Sequence, residues 1–184
     1  MATKRLAFAY GRALVVSRLF VWLVLTGLVV IVVVNTPDFP VLTVAILGAV
    51  LAAYVALLVL SPLLTQHWLT RSRLILRQGW YFRAVIRIAD IEALTTAEDA
   101  GRLRIPLGIH RPLGQPSLFV TGGRTGLLSL RLRNPRKFWQ SFGLSASEIL
   151  FDVTDRPGFV AAFEERRGSL SPVETDGPDT ELRD

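Results

Sequence analysis

The chain has 184 residues, no cysteine and a formal net charge of +6, yet 51% of it is hydrophobic and its mean hydropathy is +0.41. Globular domains hold about 45–50% apolar residues with glycine counted, and here the apolar mass is gathered into blocks, with no charged residue between Leu19 and Val34 or between Phe39 and Thr70. That pattern excludes an ordinary soluble basic domain, and zero cysteines exclude a disulfide framework and any cysteine-ligated metal site within this chain.

Residues 1–12 are a basic segment bearing Lys4, Arg5 and Arg12. Ala13 to Val34 follows, 22 residues that span about 33 Å as a helix, enough to cross a hydrocarbon core of about 30 Å. Its one charge, Arg18, lies one to two turns from the start, where a long side chain bends back to the headgroups. Residues 35–40, Asn-Thr-Pro-Asp-Phe-Pro, stop this helix and leave a tight reversal. Val41 to Leu64 forms the second span, with Pro62 in its last turn, where a lost backbone hydrogen bond costs least. Valine-rich runs can read as strands, but a length above about 18 apolar residues decides for helices. Residues 13–65 are thus expected to form a transmembrane hairpin.

Lys4, Arg5, Arg12 and Arg18 precede the hairpin reversal and Arg71, Arg73 and Arg77 follow the second span, while the connecting loop has no basic residue. The positive-inside rule then predicts a multi-pass protein of the cell membrane with both termini cytoplasmic. Arg18, Trp22 one turn beyond it, and Trp68 are the expected interface anchors. A cleavable signal peptide is disfavoured, because the apolar run exceeds the usual length of about 7–15 residues and no small-x-small site follows. With no Asp, Glu or Lys inside either span, no proton relay or transport path is expected.

From Gln66 onward arginine alternates with aliphatic residues, the period-two mark of half-buried strands. Arg73 to Arg77 and Phe82 to Ile88 read as a hairpin whose paired positions sum to 160, so that Arg77 faces Arg83 and Arg73 faces Arg87. Further strands are expected at Arg102–Ile105, Ser117–Thr121 and Leu127–Arg133, the last two joined by a loose hairpin loop, Gly122–Gly126. Asn134-Pro135 is expected to close that run before a short helix reaching Phe142. A last strand is read over Glu148–Val153, then a helix capped by Asp155, with Pro157 in its first turn and an apolar face through Arg167. Residues 168–184, rich in Ser, Pro, Gly and acidic residues, read as a disordered acidic tail.

The stretch LTRSRLILRQGWYFRAVIRIADIEAL, Leu69 to Leu94, resembles the opening of bacterial pleckstrin-homology-like (bPH) domains, which commonly follow a pair of membrane spans. FDVTDRPGFVAAFEERR, Phe151 to Arg167, is similar to their closing strand and helix. For residues 66–167 the resemblance implies a bent antiparallel sheet or barrel plugged by one C-terminal helix, and an α+β chain overall. It supplies no catalytic residues. The Ile105-Pro106-Leu107-Gly108 and Arg111-Pro112-Leu113-Gly114 segments depart from the compact pattern.

Charge is polarised along the chain. Residues 70–140 hold thirteen Arg or Lys against four Asp or Glu, whereas residues 141–184 hold four against ten. Arg73, Arg77, Arg83 and Arg87 share one parity, and like charges across a strand pair need counter-ions, so they are the candidate contact face for anionic lipid headgroups. A solvated face is the plain alternative. The Gly122–Gly126 loop lacks the lysine and helix of a phosphate-binding P-loop. His67 reads as interfacial and His110 as a loop residue, neither with a carboxylate at metal-ligand spacing. Ser141, Ser145 and Ser147 near Glu148 lack a nucleophile elbow. Trp80, Tyr81 and Phe82 beside basic strands could stack on bases, yet a tethered chain without a recognised module does not read as a nucleic-acid binder. The expectation is a non-enzymatic binding or scaffold module with no cofactor and no metal. Its partners would be membrane lipids. The alternative is an accessory subunit holding a membrane protein partner, for which Gly27, Gly48 and Ala49, Ala52, Ala53 and Ala56 permit close helix contact.

Overall fold

The computed structural model describes residues 5–97, 105–112, 114–138 and 145–170. Two long helices come first: α1, Ala13–Asn35, and α2, Val41–Leu63. Both are long and apolar enough to cross a membrane, with mean hydropathies of 2.5 and 2.6 in their most apolar stretches. Only Leu14 and Val15 of α1, and Val59, Ser61 and Pro62 of α2, are buried. The helices are therefore not the core of the globular part. Asp38, at φ 59°, makes the reversal between them. Within α2, Val55–Leu60 is π-helical, directly ahead of Pro62, whose ring crowds the preceding turn and which has no N–H to return to the Leu58 carbonyl.

The remainder is mixed α+β. Among the described residues, one sheet has four strands in the order β1-β2-β3-β4: Leu6–Phe8, His67–Leu69, Arg73–Gln78 and Phe82–Arg87. The other has five in the order β5-β8-β9-β7-β6, where β5 is Ile91–Thr96, β6 Gly108–His110, β7 Ser117–Thr121, β8 Leu127–Lys137 and β9 Ser145–Asp152. The C-terminal helix α3 runs Arg156–Ser169, with Asp155 accepting from the Gly158 N–H at its start and Pro157 in its first turn. Both sheets and α3 share one core. Leu74, Leu76, Phe82 and Ile86 meet Leu128, Leu130, Ile149 and Phe151, and Phe159 and Phe163 of α3 close it.

The β3–β4 register pairs Arg73 with Arg87 and Arg77 with Arg83, as the alternation requires. Three expectations are corrected. β7 and β8 are not hairpin partners: β9 lies between them, antiparallel to β8 and parallel to β7, so the sheet is not wholly antiparallel. The β8 strand does not stop at Asn134-Pro135 but continues to Lys137. Its register breaks between Arg131 and Arg136, and an irregularity of that kind is where a strand tolerates proline. Ile105 is outside any strand. Residues 102–104, 139–144 and 171–184, which carry the rest of the expected strand, helix and tail, lie outside the described residues.

Candidate functional site

The register of the four-stranded sheet organises its outer face into rows. Ala7, Trp68, Ile75 and Val85 align across the sheet. Two residues to one side lies the row of Arg77 and Arg83, and two residues to the other lies the row of Arg73 and Arg87. Successive same-face residues are about 6.6 Å apart along a strand, so the two arginine rows are separated by about 13 Å.

The Arg77–Arg83 row is the one nearest the helical hairpin. β2 leaves α2 almost at once, and the β3–β4 turn folds back against the ends of both helices. Gly79 N donates to Thr65 Oγ1 at 2.9 Å and Trp80 N to Ser61 Oγ at 2.5 Å. The Tyr10 hydroxyl donates to the Pro62 carbonyl at 2.6 Å and lies 2.8 Å from Thr65 Oγ1. Gly79, at φ +65°, allows this close approach, since an added Cβ would press on the Tyr81 ring and Ser61 Oγ.

Arg18 joins the same contact. Its Nη1 donates to the Leu58 carbonyl at 3.1 Å and to the Tyr81 hydroxyl at 2.7 Å, and its guanidinium lies 5.7 Å from the Tyr81 ring centre. The carbonyl it takes is the one whose α-helical donor Pro62 cannot supply. Trp22 Nε1 donates to the Leu51 carbonyl at 3.1 Å, tying α1 to α2. Trp68 lies on the outer face of β2 between Arg77 at 4.9 Å and Arg5 at 5.7 Å. Hairpin and sheets thus share one polar joint built from Tyr10, Arg18, Ser61, Thr65 and Tyr81.

Of the four arginines, Arg73, Arg83 and Arg87 are exposed and Arg77 is half-buried. Arg87 pairs with Asp90 at 3.0 Å. The far row opens onto a cleft of about 450 Å³ that also takes in Asp90, Asn134 and Arg136, the last held by a bond from Nη1 to the Val85 carbonyl at 3.0 Å. The four therefore do not form one patch. Arg77 and Arg83 flank the joint, while Arg73 and Arg87 belong with Arg136 to a separate basic cleft.

Behind the sheet, Asp152 is fully buried and clasps the root of α1. Its carboxylate accepts from Gly11 N and Gly122 N, each at 2.6 Å, and burial outweighs these bonds, lifting its pKa to about 6. His67 is buried rather than interfacial: its parity with Leu69 turns it into the core, and its Nδ1 accepts from Arg77 N at 3.1 Å. Desolvation lowers its pKa to about 3, so it is neutral with the proton on Nε2.

The remaining candidates have structural roles. His110 ends β6 and its Nε2 lies 2.7 Å from the Leu107 carbonyl. In the Gly122–Gly126 segment, Gly122 accepts from Leu14 N at 2.9 Å and Gly126 from Val153 N at 3.1 Å, so the loop seats the start of α1. Glu148 accepts from Ser117 Oγ at 2.7 Å and from Ser129 Oγ. Glu92 pairs with Arg131 at 3.4 Å, and Ser141 lies outside the described residues. Among the described residues no three His, Cys, Asp or Glu side chains converge as a metal site. Comparison with known proteins returns nothing similar: no family model, no curated protein and no solved structure matches the chain.

Proposed function

We propose that the chain is an integral membrane protein that holds a cytoplasmic, non-enzymatic binding module against the inner leaflet, with Arg77 and Arg83 meeting anionic headgroups. The exposed apolar surfaces of α1 and α2 support the membrane reading, because in water that surface would be unsatisfied. β1 precedes the hairpin and β2 follows it, so their pairing supports a topology with both ends on one side, and the positive-inside rule favours the cytoplasm as that side. A pleckstrin-homology-like module is supported by two sheets sharing a core with a C-terminal helix; β1 and the parallel β7–β9 pair are additions to that plan.

One observation carries the lipid reading: the β3–β4 register sets the Arg77–Arg83 row beside the turn that packs on the helix ends. Each arginine near an anionic leaflet contributes about 1 kcal/mol, so the pair supplies about 2 kcal/mol, or roughly thirtyfold in affinity. Native mass spectrometry of the full chain released from mixed anionic and zwitterionic nanodiscs tests this. Arg77→Ser with Arg83→Ser should abolish the preference for retained anionic lipid, and Arg73→Ser with Arg87→Ser should leave it intact. Equal effects of the two pairs would refute the assignment. The full chain is needed because a fragment beginning at residue 66 lacks β1 and the joint.

The second reading is an accessory subunit. It is favoured by the far cleft, whose arginines suit an acidic partner, and by Gly27 and Gly48, where an added Cβ meets nothing within 4 Å. These two glycines are not consumed by packing within the hairpin and leave α1 and α2 open to another helix. Stoichiometric co-purification of a protein in mild detergent, lost on Gly48→Leu but not on Arg77→Ser, would favour this reading.

A further inference from the structure

Trp80 has a structural setting that the preceding roles leave unexplained. Outside α1, α2 and Leu64, it is the one large apolar side chain exposed among the described residues, at 59%. It sits at the tip of the β3–β4 turn, where hairpin turns usually carry small polar residues. Its backbone is fixed: its own N–H is held by Ser61 Oγ at 2.5 Å, the N–H of Gly79 before it by Thr65 Oγ1 at 2.9 Å, and the hydroxyl of Tyr81 after it by Arg18 at 2.7 Å. Ser61 lies in the last turn of α2 and Arg18 in the second turn of α1. The turn thus overlaps both helix ends rather than standing clear of them.

We infer that Trp80 is a membrane anchor, its indole resting at the boundary between headgroups and acyl chains of the leaflet that receives the ends of α1 and α2. Indole favours that boundary because its ring is apolar while its N–H still finds acceptors in the headgroup layer. The occupant is the lipid surface, since the residue is continuous with the exposed apolar surface of the helix ends and is attached to them by its own backbone. Anchoring there makes the β3–β4 turn a third membrane contact beside the two helices. It holds the sheet with Arg77 and Arg83 toward the phosphates and with the Arg73, Arg87 and Arg136 cleft facing away from the bilayer. This inference rests on the membrane-spanning reading of α1 and α2, and its test separates the two.

The full chain is prepared in nanodiscs with Trp80 as the single tryptophan, Trp22, Trp68 and Trp139 being replaced by Phe, and in a second form with Trp22 alone. Lipids brominated at the top or the middle of their acyl chains serve as quenchers. Trp80 should be quenched more strongly by the shallow bromines than by the deep ones. Water-like emission from Trp80 with no quenching, alongside a quenched Trp22, overturns the anchor and leaves the spans standing. An unquenched Trp22 overturns the spans and the anchor together. Should the tryptophan replacements fail to fold, Trp80→Cys in the otherwise native, cysteine-free chain carries a nitroxide instead. Its relaxation should then respond to oxygen more than to a water-soluble nickel complex, compared with Glu164→Cys on α3, and equal responses at the two sites overturn the proposal.

Discussion

Replacing Tyr81 with Phe leaves the ring beside the Arg18 guanidinium and deletes only the oxygen that accepts from Nη1 at 2.7 Å. A hydrogen bond with one charged partner contributes about 1.5–3 kcal/mol. Arg18 is half-buried between two helices and a turn, where water competes weakly, so a loss of about 2 kcal/mol is expected for Tyr81→Phe. Arg18→Met loses that bond, the bond to the Leu58 carbonyl and a cation–π contact of about 0.5–1 kcal/mol, and so costs more. The informative quantity is the coupling between the two substitutions, because a double-mutant cycle cancels whatever else each residue touches. Reversible unfolding of the full chain in bicelles should give a coupling of about 2 kcal/mol, with Tyr81→Phe costing clearly less in the Arg18→Met background than in the native one. If Tyr81→Phe costs the same in both backgrounds, Arg18 does not link the hairpin to the domain and the joint described above is wrong.

Acid should act on the protein through two buried groups of opposite sign. The depressed pKa of His67, about 3 against 6.5, gives stability that is complete above pH 6.5 and lost as pH falls toward 3, about 5 kcal/mol in all. The raised pKa of Asp152, about 6 against 3.8, gives stability present below pH 3.8 and lost as pH rises to 6, about 3 kcal/mol. The two oppose each other between pH 6 and 3.8, so unfolding free energy should change little there. His67→Gln, which keeps an acceptor for Arg77 N, should instead become more stable on acidification through that window, and a pH titration of unfolding that shows no such reversal would count against the burial of His67. At Gly126, φ is +68° and an added Cβ would run into the Val153 carbonyl. Left-handed backbone alone costs a residue with a Cβ about 1–2 kcal/mol, so Gly126→Ala should lower stability by at least about 2 kcal/mol in the same assay.

The parts of this fold that could be read in the residues are those with local causes. Continuous apolar length identifies α1 and α2, alternation sets the β3–β4 register, and Asp155 with Pro157 marks the start of α3. The rest depends on partners distant in the chain. β1 is only three residues, too short for a period, and is hidden in a segment that reads as charged. The insertion of β9 between β7 and β8 leaves no local trace, because residues 122–126 look like any hairpin loop. His67 was within reach, since its parity with Leu69 points it inward. The site divides in the same way. Parity and register bring Arg73, Arg77, Arg83 and Arg87 to one face in two rows, but which row lies beside the helices follows from how the β3–β4 turn meets the helix ends. That docking rests on Tyr10, Ser61, Thr65 and Tyr81, polar residues at the edges of apolar or basic runs whose partners across the joint lie 14 to 63 positions away.

The central claim is that α1 and α2 cross the membrane with the sheets on the cytoplasmic side. Because the chain has no cysteine, single replacements Asp38→Cys, in the reversal, and Glu164→Cys, on α3, can be labelled in intact cells with a membrane-impermeant maleimide. The account predicts labelling of the first from outside and of the second only after lysis; labelling of Glu164→Cys in intact cells, with Asp38→Cys protected, would contradict it.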